Sequence, residues 1–213
     1  MKNILVICAH PDDEVFGAGG TIAKYSKEGF NVDVLIFSYG EQSHPWIKKY
    51  VVIETRKKES KEASKVIGIR NAEFFGLREG FFEEDSKRNN IYKKIAEIIR
   101  EKKPVKIFTH SIDDPHPDHK IVHNTVLASM DKSGIKCDVY TFDIWNPINI
   151  RKTENPKLYV DISKTFGKKL EALKCFKSQK VSMISLLWSV YLRAVTHGIE
   201  NRTRFAEVFY KVR

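Results

Sequence analysis

The stretch NILVICAHPDDE, residues 3–14, runs on through a glycine-containing segment to NVDVLIF, residues 31–37, and how this run is read decides the fold. Residues 3–9 form a short, β-branched-rich apolar run with no alternation, the pattern of a strand buried on both faces. Such strands belong to parallel sheets covered by helices. Residues 21–28 suit a helix, and 31–37 read as a second strand with period-two alternation at its start. A β-α-β opening implies a parallel pair joined by a crossover.

The same alternation continues along the chain. Residues 52–68, VIETRKKESKEASKVIG, are helical by composition and stop at Gly68, and AEFFGL (72–77) gives a short strand. Ile91, Ile95, Ile98 and Ile99 form one apolar stripe on a helix that ends before Pro104. VKIFTH (105–110) is the next strand, a helix starts near Lys120, and CDVYTF (137–142) is one further strand. Beyond it, Asp161–Ser178 reads as a capped amphipathic helix, Val181–Thr196 as another, and FAEVFY (205–210) as a last strand. The expected fold is a three-layer, doubly wound, Rossmann-like α/β domain. Its sheet is mostly parallel with strand order 3-2-1-4-5, followed by C-terminal helices and a short β element.

At 213 residues, with no repeat, linker or low-complexity tract, residues 1–213 are expected to form one domain, large enough to bury a core without disulfides or a structural metal. Cys8, Cys137 and Cys175 are an odd and scattered set, which favours a reduced compartment. The N-terminus lacks the pattern of a secretory signal, and the apolar patch MISLLWSVYL is too short to span a bilayer. A cytoplasmic protein is expected on these grounds, and a homo-oligomer is compatible with them.

The net charge of +10 is uneven: residues 151–213 hold 14 Lys+Arg against 5 Asp+Glu. That excess would attract an anionic small molecule, membrane surface or nucleic acid. No RNP-like motif, zinc-finger spacing or basic heptad accompanies it, so nucleic acid is not the expected partner.

Two turns carry the chemistry. HPDDE (10–14) and HPDH (116–119) each follow a predicted strand, and ligands of open α/β sheets bind at the carboxyl ends of strands where the winding reverses. If the first and fourth strands are neighbours, the turns share one crevice. They would crowd His10, Asp12, Asp13, Glu14, Asp113, Asp114, His116, Asp118 and His119 together, which a cation offsets most simply. Two imidazoles and a carboxylate with an open position form a catalytic zinc shell, and the same trio would hold Fe(II), Co(II) or Mn(II). GAGG (17–20) fails the dinucleotide pattern because Ile22 stands where the third glycine belongs, so its glycines are read as allowing close packing. His123, one turn after His119, is read as supporting or packing, His110 as either a buried hydrogen-bonded residue or a site wall, and His44 and His197 carry no assignment.

With AHPDDE at 9–14 and HPDH at 116–119, the sequence resembles the PIG-L or LmbE-like family of zinc-dependent N-acetylglucosaminyl deacetylases. Weaker echoes are GE at 40–41, RKKE at 56–59, SQ at 178–179 and FAEVF at 205–209. The resemblance implies Zn2+ bound by His10, Asp13 and His119, with Asp12 as general base and His116, as an imidazolium, stabilising an oxyanion. It implies Arg56 as a substrate contact and suits Glu14 and Asp118 to supporting roles. The implied reaction is hydrolysis of the N-acetyl amide of an amino sugar, and the basic C-terminal third suits an anionic substrate. Alternatives are a metal-dependent amidase acting on another small conjugate, or a nucleotide- or nucleic-acid-binding α/β module.

Overall fold

Alternate residues of the first strand, β1 (Asn3–Cys8), point to opposite faces of the sheet, and apart from Asn3 both sets are apolar. The computed structural model describes residues 1–43, 46–146 and 155–213, side chains 181 and 182 excepted; His44 lies outside the described residues. Ile4, Val6 and Cys8 enter one core and Leu5, Ile7 and Ala9 another, so the sheet is sandwiched between two helical layers.

In chain order, β1 is followed by α1 (Asp13–Lys27), β2 (Asn31–Ile36), α2 (Lys49–Ile67), β3 (Asn71–Phe74), α3 (Phe82–Arg88), α4 (Ile91–Lys102) and β4 (Lys106–His110). Then come α5 (Pro117–Ser133), β5 (Asp138–Phe142), β6 (Lys157–Asp161), α6 (Phe166–Leu173), α7 (Lys180–Glu200) and β7 (Ala206–Lys211), with short 3-10 turns at Glu41–Ser43 and Lys177–Gln179. The sheet order is β3-β2-β1-β4-β5-β7-β6. The first five strands pair in parallel, and β7 lies antiparallel between β5 and β6. The expected 3-2-1-4-5 core is therefore present. It is extended by a two-strand C-terminal element of which only β7 was expected.

Helices α1, α2, α6 and α7 contribute to the core on one face of the sheet; α3, α4 and α5 contribute to the other. Two expectations need correction. The helix expected over Asp161–Ser178 is shorter, because the Asp161 carboxylate accepts the Ser163 N–H at 2.9 Å and its hydroxyl at 2.6 Å, which turns the chain out of β6 before α6 can begin. And α1 starts at Asp13, not Thr21, despite its glycines. A Cβ on Gly17 would stand 2.2 Å from the Phe142 ring and one on Gly20 2.7 Å from Ile162, so the small residues admit the close approach read from the sequence. Gly68 ends α2 at φ 78°, a conformation that favours glycine.

Candidate functional site

Because β1 pairs with β2 on one side and β4 on the other, the turns leaving β1 and β4 meet at the switch point. The first turn folds back on itself: the Asp13 carboxylate accepts the His10 N–H at 2.8 Å, and the Glu14 carboxylate accepts the Asp12 N–H at 3.1 Å. Both acids lie in the first turn of α1, where a helix N-terminus favours negative charge. In the second turn His116 caps α5, its Nδ1 accepting the Asp118 N–H at 3.2 Å, and Pro117 occupies the start of the helix.

Asp13 is the hub. Its Oδ2 lies 3.4 Å from His10 Nδ1, 3.2 Å from His110 Nε2 and 3.6 Å from His119 Nε2. One ligand atom from each of His10, Asp13 and His119 lies within 4.8 Å of the others, so these three could hold a metal ion. A second grouping of His10, His116 and Asp118 satisfies the same spacing. The first fits a cation better: the fully buried Nε2 of His119 has no hydrogen-bond partner among the described residues, whereas His116 Nδ1 is spent on the helix cap. Two nitrogens and one carboxylate oxygen are donors that suit zinc and its divalent neighbours.

Each outer imidazole nitrogen faces a carboxylate, the arrangement that orients metal-binding histidines. His10 Nε2 is 3.3 Å from Asp118, and His119 Nδ1 is 3.0 Å from Asp114. Asp114 also accepts the Ile144 and Trp145 N–H groups at 2.8 and 3.2 Å, which ties the β5 exit to the site. Its carboxyl sits far below the usual range: burial opposes this, and His119 outweighs it. The sequence placed Asp114 in the crevice without assigning it this partner. His110 is a site wall as well as a buried residue, stacked on His119 at 3.8 Å between ring centroids and accepting the Ala9 N–H at 3.0 Å. Burial and the neighbouring His119 push its pKa down to about 4. His123 donates to the His110 carbonyl at 2.9 Å and belongs to the packing. His197 lies away from this cluster, 3.3 Å from Glu200.

The charges separate into distinct states. Burial disfavours the His10 imidazolium, but Asp118 and Asp13 outweigh it and raise the pKa to about 10. Asp13 is held well below the usual carboxylate range, its burial overcome by His119 and His110. Asp12 stands outside the trio. Burial raises it to about 6, against the pull of Arg56 at 3.2 Å. Burial and Asp12 carry Glu14, at the base of the turn, up to about 8.

Arg56 is 2% exposed, donates to the Pro11 carbonyl and Asp12, and lies over the Phe176 ring at 5.6 Å. Gly40, at φ 73°, leaves room for it; a Cβ there would be 2.7 Å from Arg56 Nε. Glu59, one turn along α2, accepts the Ser178 N–H and hydroxyl, both at 2.7 Å, and so brings Gln179 to the site. The weaker echoes GE, RKKE and SQ thus meet around one cleft of about 260 Å3, whose walls include His10, Asp12, Arg56, His116, Trp145 and Gln179. Glu79, Gln42 and Trp145 also line it and were not singled out by the sequence, where nothing sets them apart from ordinary loop residues.

A doubly wound α/β fold with a His/Asp centre able to hold a metal ion at its switch point is the class that fold and site define. The sequence model of the GlcNAc-PI de-N-acetylase family, PIG-L, matches residues 5–130, and the chain belongs to that family. Diacetylchitobiose deacetylase of Thermococcus kodakarensis is 27% identical over 97% of this chain and 82% of its own length. The 4-oxalmesaconate hydratase of Pseudomonas putida is 27% identical over 94% of this chain and 81% of its own. A probable N-acetyl-alpha-D-glucosaminyl L-malate deacetylase of Bacillus cereus is 26% identical over 86% of each. Among solved structures, N,N'-diacetylchitobiose deacetylase of Pyrococcus horikoshii superposes with a TM-score of 0.80 at 24% identity, covering 99% of this chain and 84% of that one. The 4-carboxy-2-hydroxymuconate hydratase of Pseudomonas putida gives 0.85 at 23%, covering 100% and 97%. These two speak to the fold.

Proposed function

We propose that the chain is a metal-dependent N-deacetylase that hydrolyses the acetamide of an N-acetylglucosamine-type amino sugar to acetate and a free amine. One observation supports this above the others: adjacent acids are divided, Asp13 turned into the imidazoles while Asp12 faces the cleft with a pKa near 6. The family and two of the relatives named above are deacetylases of N-acetylated glucosamine compounds, which favours the same reaction. The hydratase relative makes addition of water without amine release the rival outcome.

In this proposal His10, Asp13 and His119 hold the ion, zinc or a divalent neighbour. Bound there, it would supply Lewis acidity, polarising an acyl carbonyl and letting water ionise near neutral pH. Asp12 removes the proton from the attacking water and, once protonated, hands it to the departing amine; a base with pKa near the working pH suits both steps. The resemblance implied a charged His116. With Nδ1 accepting from the helix and its pKa lowered by burial, His119 and His10, the ring is neutral and carries its proton on Nε2, so we assign it as a neutral donor to the oxyanion. Arg56, which lines the cleft and pairs with Asp12 at 3.2 Å, is assigned to orienting Asp12, and its Nε and Nη1, which have no hydrogen-bond partner among the described residues, keep it as a substrate contact. Asp114, Asp118 and Glu14 hold the imidazoles and the turn. A cytoplasmic setting fits three cysteines that are all free thiols.

Acetate release from N-acetylglucosamine, N-acetylglucosamine phosphate and a simple aliphatic acetamide tests the reading. The sugars are expected to turn over and Asp12→Asn to lose a factor of about 100 or more in kcat. A wild-type protein that releases acetate from none of them, or an Asp12→Asn variant that keeps full turnover, would refute it.

A further inference from the structure

The sheet ends at β3, and no strand of the described residues lies beyond it. Along this open edge, between β3 and α2, runs a groove of about 690 Å3. Small side chains make room for it: Ser60 and Ser64, one turn apart, line it from α2, and Ala72 with Phe74 lines it from β3. The two serine hydroxyls are buried and have no hydrogen-bond partner among the described residues, a cost that a hydrogen-bonding occupant would offset.

Lysines dominate the helical wall. Lys58, Lys61 and Lys65 are exposed and line the groove at i, i+3 and i+7, on one face of α2. None of the three has an ion pair among the described residues. Glu54 is the one acid among the described residues that line the groove, and Lys57 already holds it at 3.0 Å. Arg70, which also lines it, is held by Asp33 at 2.6 Å.

The groove therefore joins three uncompensated positive charges to an open backbone edge, and each narrows the occupant. The charges call for an anion. The edge calls for a polypeptide, because an extended chain can pair its main-chain N–H and C=O groups with β3 and a nucleic acid cannot. Spacing joins the two requirements. Lys58 to Lys65 covers about 10 Å of helix, and three acids at alternate positions of an added strand, all on the α2 side, cover about 13 Å. Lysines that guard a sheet edge against pairing stand on the edge strand itself; β3 carries none, and here they flank the edge from the helix. A second copy paired edge to edge by two-fold symmetry would bring two such lysine walls together.

We propose that the groove between α2 and β3 takes an extended acidic segment of a partner protein, added as a strand to β3 with alternate carboxylates on Lys58, Lys61 and Lys65.

The test is fluorescence anisotropy of the full, metal-loaded chain with labelled peptides of about eight residues, strand length, at low salt. Glutamate alternating with valine is expected to bind about tenfold tighter than the same residues with the glutamates in one block, and than lysine alternating with valine. Lys58→Glu with Lys61→Glu and Lys65→Glu should weaken the alternating peptide by about tenfold or more, an exposed pair being worth about two- to fivefold. These side chains are exposed and none lines the candidate site, so melting temperature and Zn2+ affinity should stay at the wild-type values. Two peptides N-methylated at alternate residues, one on the glutamates and one on the valines, carry the test on the unaltered chain. Only one edge of an added strand pairs with β3, so one of the two should lose about tenfold in affinity and the other should keep it. Equal binding of the alternating and block peptides, an equal effect of the two N-methylated sets, or an oligonucleotide of the same charge that binds as tightly would overturn the proposal. So would a wild-type dimer whose β3 edge is closed to every peptide, which would assign the edge to a second copy.

Discussion

Asp12 occupies a backbone conformation that L side chains rarely adopt, at φ 106°, directly before α1. Conformations of this kind in non-glycine residues cost roughly 1–3 kcal/mol and persist where surrounding contacts fix them. Here the contacts are the Glu14 carboxylate on the Asp12 N–H and Arg56 on the Pro11 carbonyl and the Asp12 side chain. The twist turns neighbouring carboxylates to different tasks, which a regular helical start would not do. Asp12 works as a base only when ionised, and protonation removes it as pH falls. The kcat/KM profile should therefore have an acid limb of unit slope at or below about pH 6, a bound cation moving it down and never up. A limb above pH 7, or none down to pH 4, would assign the base elsewhere. His10, Asp13 and His119, the ligands that the resemblance implied, form one of two groupings whose donor atoms lie close enough to share an ion, the other being His10, His116 and Asp118. Asp114 and His110 were not assignable in advance, because their roles depend on how α5 returns against β4, a relation that no local pattern records.

At the scale of elements, α1 is held by partners far along the chain. The Glu207 carboxylate on β7 accepts the N–H groups of Gly20 and Thr21 at 3.1 and 2.7 Å and pairs with Lys169 of α6 at 2.6 Å; Lys169 also donates to the Phe16 carbonyl at 2.7 Å. This buried pair gives the FAEVF echo its physical meaning: it positions the helix whose first turn carries Asp13. Lys169→Met would strand the Glu207 carboxylate, and urea denaturation should show a loss of about 3–5 kcal/mol; a loss under 1 kcal/mol would mean that the pair does not hold α1. Elements with strong local signals, the parallel strands and the isoleucine-striped α4, were legible in the sequence. α3 and β6 were not: α3 is a seven-residue helix, and β6 is an edge strand of five residues with only Val160 buried, held by a partner 45 to 53 residues later. The starts of α1 and α5 were read too late because glycine and proline signal against helix interiors, whereas here they serve close packing and a first turn.

Across the whole molecule, strand order does the gathering. Placing β1 between β2 and β4 brings residues about a hundred positions apart into one crevice, and the C-terminal third, through Glu207 of β7 and through Ser178 on Glu59, braces that crevice from behind and from the rim. The sequence disclosed this much because both turns directly follow strands. It did not disclose the outer face of α7, since an apolar stripe on a helix reads as core until the other helices are seen to leave it bare. The central claim is that the two turns form one cation site, and titration of the metal-free protein with Zn2+ by calorimetry, in buffers of different ionisation heat, tests it most directly. One ion should bind per chain near neutral pH, with about one proton released because His10, raised to about 10, must give one up. Asp12→Asn should bind as the wild type does, and His119→Ala should lose the site. Absence of saturable binding by the wild type, or unchanged binding by His119→Ala, would contradict the account.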